Sequence, residues 1–490
     1  MKVFRLVAFA SVLLGAVLIV RTMFHTPTSS DQSQTVDLSL DEATLLANLS
    51  QSIQFPTISY ANGVDRDHQA FDGFRSWLKT TYLHVHDNLE LVTFDDTLLY
   101  KWPGSDQSLK PILFTGHYDV VPVIPGTENQ WQYAPYAGEI ADGYVWGRGA
   151  LDDKSGVIGI LEAANFLLAQ DFQPKRTIYL SFGHDEEIGG TNGAAAVTRY
   201  LQRQGVQLAW SLDEGSFLLD GFIPGVDKKV AAVNVAEKGY LTLEVVAQGV
   251  GGHSSMPPRQ TAVSILAEAI TQLENNPVPA SFEGLSAAMF DSVSREMPFL
   301  NKLIFANRWL FGGLIERVLS ADPSTDAMLR TTTAPTMLSA SVKANVLPIE
   351  AVATINFRVH PKDSLQDVVA HVQKVVQNQN IKVRGLTGEG FVTGQPASTV
   401  SSWDSEGFRI ISQSVTSIVS DVVVAPGLMI AASDSRHYGK VADNAYRFNP
   451  FSLSKEQLVG VHGTDERIGS KSYIDGIKIY ILLMQAGSSQ

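Results

Sequence analysis

The chain has 490 residues, 44% of them hydrophobic, and a formal net charge of −13. A chain of this length usually needs more than one hydrophobic core, so two domains are expected, and the acidic balance argues against a general nucleic-acid-binding protein. The sequence contains no cysteine, which excludes disulfides, thiolate metal sites and a cysteine nucleophile. Any metal must therefore be held by histidines and carboxylates.

Residues 1–26 predict a targeting segment. Lys2 and Arg5 precede an apolar run from Leu6 to Val20, and Arg21 closes it. The run is shorter than the roughly 20 residues of a membrane span, which favours a cleaved signal peptide. Its apolar flanks and the lack of a small-residue cleavage site favour an uncleaved membrane anchor instead. Both interpretations predict export, to a membrane-anchored form facing outside the cytoplasm or to a secreted or periplasmic form.

After a polar segment at 27–40 that predicts a linker, residues 41–236 alternate short β-rich runs with helical patterns. This alternation predicts an α/β domain. In chain order the predicted segments are a strand at 111–115, a helix at 155–170, a strand at 177–182, a helix at 193–203 and a strand at 206–212.

Residues 237–392 predict a second, smaller α/β unit. Its predicted segments are strands at 239–247, 351–359 and 381–386, and helices at 261–273 and 365–377. They are interrupted at about 275–339 by a largely helical pattern rich in large apolar residues. This insertion either completes a core or offers an amphipathic surface to a membrane or an apolar substrate.

Candidate metal ligands begin at the end of the strand at 111–115. His117 and Asp119 are two residues apart, so on a strand their side chains point to the same side, and Asp119 can orient the His117 imidazole. Asp152 and Asp153 follow in a glycine-rich turn before the helix at 155–170. One aspartate as a helix cap explains part of this pattern, but two between tight glycines indicate that another group approaches the backbone closely.

Further carboxylates follow the next two predicted strands. Four titratable residues, His184 to Glu187, follow the first strand, and Asp213 with Glu214 follows the second. Electrostatic repulsion among these carboxylates would destabilise the fold unless a cation lay near them. In open α/β sheets, ligands bind at the carboxyl ends of the strands, which is where these residues are expected. Together with His462, the set supports two divalent ions, each with one histidine and one terminal carboxylate, joined by a shared carboxylate.

These residues and the motifs around them resemble the dinuclear zinc aminoacylase and carboxypeptidase superfamily that includes carboxypeptidase G, and within it the carboxypeptidase S and N-acyl-amino-acid hydrolase branch. The resemblance covers about residues 40–485 and is carried by Gly116-His117-Tyr118-Asp119-Val120-Val121-Pro122-Val123, Gly147 to Lys154, His184 to Gly190, Ser211 to Gly215, Gly251-Gly252-His253-Ser254-Ser255, Asn345-Val346-Leu347-Pro348, Asn356-Phe357-Arg358-Val359, Asp434-Ser435-Arg436-His437-Tyr438 and Val461-His462-Gly463. It implies an α/β fold in which a zinc-peptidase-type catalytic domain, with a mixed central sheet flanked by helices, is formed by residues 41–236 and 393–490. Residues 237–392 would be an inserted α+β lid or dimerisation domain.

The resemblance also implies a hydrolase with two zinc ions per chain. The implied ligands are His117 and Asp213 for one zinc, Glu187 and His462 for the other, and Asp152 as the bridge between them. Asp119 would orient His117, Glu186 would be the general base, and the Asp152–Asp153 peptide bond would be cis.

Three residues of the implied lid would act on the substrate. His253 would stabilise the tetrahedral oxyanion, in relatives often within the partner subunit's site, Asn345 would hold the substrate, and Arg358 would grip a free carboxylate. The expected substrate is then a small molecule with an amide next to a carboxylate, either a peptide or an N-acyl amino acid, and some relatives also run the condensation. The helical insertion is absent from the compact relatives, so a homodimer stays an open alternative.

Two other classes of function compete with this hypothesis. A non-catalytic metal-binding recognition module should have lost ligands, whereas every candidate ligand and Glu186 are present. A serine hydrolase should carry a G-x-S-x-G elbow, which this sequence lacks.

Overall fold

The computed structural model describes residues 2–26, 38–61, 64–223, 225–385 and 393–489. The helices, in chain order, are α1 (Lys2–Phe24), α2 (Glu42–Ile53), α3 (His68–Thr81), α4 (Leu83–Asn88), α5 (Lys154–Ala169), α6 (Ala194–Arg203), α7 (Ala262–Asn275), α8 (Gly284–Ser294), α9 (Phe299–Ala306), α10 (Arg308–Leu319), α11 (Pro323–Ala327), α12 (Leu365–Val376), α13 (Glu406–Ile418), α14 (Ser435–Tyr438), α15 (Lys455–Leu458) and α16 (Ser470–Ser488). The strands are β1 (Glu90–Phe94), β2 (Thr97–Trp102), β3 (Ile112–His117), β4 (Glu139–Ala141), β5 (Tyr144–Trp146), β6 (Ile178–Gly183), β7 (Trp210–Asp220), β8 (Lys229–Glu237), β9 (Gly239–Gln248), β10 (Gly252–His253), β11 (Thr332–Ser339), β12 (Val346–Leu347), β13 (Glu350–Val359), β14 (Ile381–Gly385), β15 (Thr393–Gln395), β16 (Val422–Met429), β17 (Ala445–Ser454) and β18 (Arg467–Gly469). The predicted linker at 27–40 lies mostly outside the described residues.

The centre of the molecule is an eight-stranded sheet in the order β1-β2-β6-β3-β7-β17-β8-β16. β3 runs parallel to β6 and β7, and β17 runs parallel to β7, whereas β1, β2 and β6 are joined by antiparallel pairings. Helices α5 and α16 pack on this sheet and on each other. The prediction of an α/β fold with a mixed central sheet flanked by helices is confirmed.

The central strands form because their residues can be buried on both faces. All six residues of β3 and all six of β6 are buried, as expected for parallel strands covered by helices on both sides. In α5 the residues Val157, Leu161 and Ala164 lie on one apolar stripe, and each is fully buried in the main core. These elements hold the carboxyl ends of β3, β6 and β7 at one edge of the sheet.

A second sheet carries its own hydrophobic core. Its order is β11-β13-β9-β14, with β15 also paired to β9. Helices α7 and α12 pack against it through buried apolar side chains such as Leu266, Val368 and Val372. We call the part of the chain from β9 to β14 the lid.

The helical insertion differs from the prediction at one end. Residues 284–327 form α8 to α11, but Thr332–Ser339 form β11, which pairs antiparallel with β13. The helical prediction is wrong for this segment because it is rich in β-branched threonines, and Pro335 lacks the N–H that a helix interior needs. Helix α8 packs on β16 and buries Leu285 and Val293, so this part of the insertion completes a core.

Helix α1 matches the predicted targeting segment. Among the described residues, Val3–Phe24 is the one helical stretch long and apolar enough to cross a membrane by length and composition, and none of its most apolar window is buried. The carboxyl-terminal end of α1 contacts α9. Such a helix fits a signal sequence or an anchor.

Candidate metal centre

The candidate ligands converge at the carboxyl edge of the central sheet. His117 ends β3 and lies opposite Gly183, which ends β6. The turn after β6 carries Glu186 and Glu187, and β7 brings Glu214 alongside. Parallel strands therefore collect side chains that are far apart in the sequence.

Asp152 lies between two histidines. Its Oδ1 is 3.0 Å from Nε2 of His117, and its Oδ2 is 3.0 Å from Nε2 of His462. The same nitrogen of His462 is 3.4 Å from Oε1 of Glu187. The peptide bond between Asp152 and Asp153 is cis, as the resemblance implied.

Asp119 is fully buried and makes two kinds of contact. The Nδ1 of His117 donates a hydrogen bond to the backbone carbonyl of Asp119 at 3.0 Å, and it lies 3.3 Å from the Asp119 carboxylate. A proton on Nδ1 leaves the lone pair of Nε2 free, which is the form of histidine that binds a metal. The Asp119 carboxylate also accepts hydrogen bonds from the backbone N–H groups of Glu186 and Glu187, both at 3.2 Å. Asp119 therefore holds the acidic turn as well as the imidazole.

The structure brings Glu214, and not Asp213, next to His117. Oε1 of Glu214 is 4.0 Å from Nε2 of His117. Asp213 accepts a hydrogen bond from the backbone N–H of Glu214 at 2.9 Å, and its other oxygen is buried without a hydrogen-bond partner among the described residues. Both acids lie near His117, whose charge opposes the rise in pKa of each, and Glu214 is the one with an oxygen at 4.0 Å from the imidazole. The role of Asp213 as a metal ligand, which the resemblance implies, stays a prediction, and the structure adds Glu214 as a second candidate at this position.

Glu186 is half-buried in a strongly acidic environment. Burial raises the pKa of its carboxyl well above the ordinary value, and the nearby carboxylates of Asp434 and Glu187 raise it further. The Asp434 carboxylate reaches this position because Gly190 has no side chain. A Cβ atom there would lie 1.9 Å from Oδ1 of Asp434. Asp434 was part of a sequence motif, but sequence reasoning gave it no role.

The donor atoms fit divalent metal ions. Among the described residues, two sets have donor atoms that all lie within 4.8 Å of one another: His117 with Glu186 and Glu214, and His117 with Asp152 and Glu187. Oε1 of Glu187 is buried, and Nε2 of His462 lies 3.4 Å from it. Burial and the nearby Asp152 carboxylate raise the pKa values of Glu187 and Glu214, and a cation bound among these acids would offset both effects and favour their charged forms.

A buried ion pair supports the loop of Asp152. Glu466 is fully buried and pairs with Arg148 at 2.6 Å. Its other carboxylate oxygen accepts hydrogen bonds from the backbone N–H groups of Gly149, Leu151 and Asp152 at 2.8 to 3.1 Å. Sequence reasoning missed Glu466, although its position four residues after His462 placed it near the site.

The three predicted substrate residues lie on the lid, away from the acidic cluster. β10 pairs with β12, which brings His253 and Asn345 together, and both side chains are exposed. Arg358 is exposed on β13, with its guanidinium 5.5 Å from the ring centroid of Tyr240. No contact within the described ranges joins these three residues to the metal ligands.

Residues 113–486 match the model of peptidase family M20/M25/M40. The chain is 41% identical over 451 residues to probable carboxypeptidase S-like 2 of Dictyostelium discoideum, covering 91% of this chain and 85% of that protein. It is 37% identical over 484 residues to the N-fatty-acyl-amino acid synthase/hydrolase PM20D1 of Xenopus tropicalis, covering 97% and 93%. These relatives confirm the predicted carboxypeptidase S and N-acyl-amino-acid hydrolase branch.

Solved structures show the same fold. The M20 family metallo-carboxypeptidase Sso-CP2 of Sulfolobus solfataricus superposes with a TM-score of 0.61 at 19% identity, covering 91% of this chain and 99% of that one. Human carnosine dipeptidase 1 superposes with a TM-score of 0.56 at 15% identity, covering 91% and 96%. The family model and the carboxypeptidase S-like and N-fatty-acyl-amino acid synthase/hydrolase relatives confirm a hydrolytic enzyme of a metal-dependent peptidase family that acts on small molecules. The chain belongs to peptidase family M20/M25/M40.

Proposed function

We propose that this enzyme uses two zinc ions to hydrolyse the amide bond between an acyl group and an amino acid that keeps its free carboxylate. The observation that carries the proposal is the position of Asp152, whose two oxygens each lie 3.0 Å from a different histidine. One carboxylate between two imidazoles fits a ligand shared by two ions. Histidine nitrogen and carboxylate oxygen are donors that zinc takes in catalytic sites.

In this proposal His117 and Glu214 hold one zinc, Glu187 and His462 hold the other, and Asp152 is shared. Glu214 is proposed because its Oε1 is 4.0 Å from Nε2 of His117, and Asp213, the ligand that the resemblance implies, is the alternative. When bound, the zinc ions supply Lewis-acid polarisation of a carbonyl and lower the pKa of water.

Glu186 is proposed to be the general acid–base group that transfers the proton of the attacking water. It lies next to the ligand Glu187, and its backbone N–H is held by Asp119. A carboxylate in this position accepts a proton from the attacking water and returns it to the leaving amine. Burial and neighbouring carboxylates raise the pKa of Glu186, which makes its carboxylate a stronger acceptor for that proton.

The lid is proposed to bind the carboxylate end of the substrate. Arg358 is exposed on β13, and no acidic side chain of the described residues pairs with its guanidinium. A guanidinium of this kind can form a bidentate pair with a carboxylate. Asn345 and His253 would contribute to substrate and oxyanion binding from the neighbouring strands. Because they are exposed and apart from the ligands, they would reach the site by closure of the lid or from a second copy in a homodimer.

The acyl side is proposed to be a fatty acyl chain. PM20D1 of Xenopus tropicalis and of Mus musculus, at 37% and 36% identity, are named N-fatty-acyl-amino acid synthase/hydrolases. Carboxypeptidase S-like relatives support a peptide substrate as the second candidate, and condensation would be the reverse of the same reaction. The proposed location is outside the cytoplasm, with α1 as anchor or signal. The proposed catalytic domain comprises residues 41–236 and 393–490, with the lid between them.

The test is a mass-spectrometric assay of the zinc-loaded enzyme on N-fatty-acyl amino acids and on blocked dipeptides of matched length. We expect release of the free amino acid from the acyl substrates, its loss with a metal chelator, and its return with zinc. Preferential cleavage of dipeptides would favour the carboxypeptidase alternative. Inactivity on both classes, with zinc bound, would contradict the proposed chemistry.

A further inference from the structure

Helices α9 and α10 expose a row of large apolar side chains. Leu310, Leu314 and Val318 recur every four residues and so form one line along α10. We call the following six exposed side chains the α9–α10 face: Phe299, Leu300, Trp309, Leu310, Leu314 and Val318. Apolar side chains concentrated on two consecutive surface helices are typical of a surface that contacts a membrane or a partner.

This face lies beside the end of α1. The Nδ2 of Asn307, at the junction of α9 and α10, donates a hydrogen bond to the Leu18 carbonyl at 3.1 Å. Nε of Arg21 donates to the Ala306 carbonyl at 3.3 Å, and the Thr22 side chain is buried against the same junction at 3.4 Å from Asn307. The end of α1 is therefore attached at the junction of α9 and α10, at Ala306 and Asn307, and the exposed apolar part of α1 extends from this corner.

Cationic side chains surround this corner. Burial lowers the pKa of His25, just after α1, and the nearby charges of Arg295, Lys302 and Arg308 lower it further, with Asp291 acting in the opposite direction. His25 is itself fixed by a hydrogen bond to the Ser294 hydroxyl at 2.9 Å.

Asp291 pairs with Arg308. Of the two other cations, Lys302 has no ion-pair partner among the described residues, and Arg295 donates only to the Thr26 carbonyl at 3.4 Å.

We propose that the α9–α10 face lies on the surface of the same bilayer that α1 enters. The apolar side chains would occupy the boundary between head groups and acyl chains, with Arg295 and Lys302 at the level of lipid phosphates. Apolar helices flanked by cations bind such an interface through buried apolar area and attraction to anionic lipids. The catalytic body would then be held in one orientation on the membrane and not merely tethered to it. This inference rests on the membrane location proposed for α1, but not on the proposed substrate.

The experiment uses the cysteine-free full chain, in which single cysteines can carry a fluorescent label. Leu300→Cys and Leu314→Cys report on the face, and Leu13→Cys reports on α1. Leu338→Cys on the lid is the matched control, because Leu338 is 69% exposed and Leu300 is 67% exposed. Each variant is reconstituted in vesicles of phosphatidylcholine with phosphatidylglycerol, and quenching by lipids with a nitroxide near the head group is measured.

We expect strong quenching of the labels at 13, 300 and 314, and little quenching at 338. A higher fraction of phosphatidylglycerol should increase quenching at 300, and Lys302→Gln should weaken that increase. Quenching at 13 alone would overturn the inference, since α1 would then be only a tether. Energy transfer between labels at 300 on different molecules, without lipid quenching, would overturn it in favour of a contact between copies. An unquenched label at 13 would also overturn it, because α1 would not lie in the bilayer.

Discussion

The carboxylate of Glu466 accepts a hydrogen bond from the backbone N–H of Asp152 at 3.1 Å. Glu466 stands four residues after His462, so this contact ties together two loops that carry candidate ligands. The same carboxylate pairs with Arg148, which also donates to the Gly463 carbonyl at 2.9 Å. The spacing of Asp152 and His462 therefore depends on a buried group that is not itself a ligand.

Glu466→Gln is expected to weaken metal binding by about 10- to 100-fold, the usual effect of losing a group that orients a metal ligand. The neutral amide cannot accept all the backbone hydrogen bonds and leaves the Arg148 charge uncompensated, so thermal stability should fall too. Metal content and kcat/KM are measured well below the unfolding temperature, with added zinc expected to restore part of the activity. Glu456→Gln, at an exposed position on α15, is the matched control. A loss of stability with unchanged zinc affinity would show that Glu466 is only structural.

Glu214→Gln should reduce the zinc content from two ions to one and lower kcat, because the acid next to His117 loses its charge. Asp213→Asn is expected to keep both ions, because Oδ1 of Asp213 accepts a hydrogen bond from the backbone N–H of Glu214 and His117 acts on this carboxylate only through longer-range charge. Zinc per chain is measured by mass spectrometry under native conditions. The opposite pattern, with zinc lost only in the Asp213 variant, would restore the sequence assignment.

A local sequence pattern does not decide which of the adjacent acids Asp213 and Glu214 binds metal. The motif located both acids at the end of a strand, and the predicted clustering of carboxylates at that sheet edge agrees with the structure. Side chains alternate with a period of two, so a shift of one residue reverses which acid faces the histidine. That parity is set by the register of β7 against β3, which pairs Leu212 with Phe114. Such a long-range pairing is invisible in a local pattern.

Whether other elements and residues could be predicted from the sequence also depended on tertiary contacts. Strong periodic segments such as α5 and β13 were predicted within a few residues, because their burial pattern is local. The strand at Thr332–Ser339 was missed because it ends a largely helical pattern; its threonines and Pro335 disfavour a helix, and β13 supplies its pairing. The role of Glu466 was missed because its hydrogen-bond partners lie more than 300 residues away.

Glu186→Gln should lower kcat by about 10²- to 10⁴-fold, the range for loss of a general acid–base group, while both zinc ions stay bound. The amide keeps the size of the side chain but cannot accept the proton. The adjacent Glu187→Gln is the comparison, since a ligand variant should lose zinc as well as activity. Steady-state kinetics and zinc content are measured on the same preparations. Full activity in the Glu186 variant would remove it from the proton transfer.

Arg358→Ala should raise KM for N-acyl amino acids by about 10- to 100-fold, because a charge-assisted hydrogen bond contributes about 1.5–3 kcal/mol. The fold should tolerate the change, since Arg358 is exposed and its visible contact is the ring of Tyr240. The control substrate is the carboxamide analogue, which lacks the negative charge. The wild-type enzyme should cleave this analogue poorly, and the variant should cleave it no worse than the wild type does. If the substitution impaired both substrates equally, Arg358 would shape the lid without recognising the carboxylate, and the proposed substrate class would lose its structural basis.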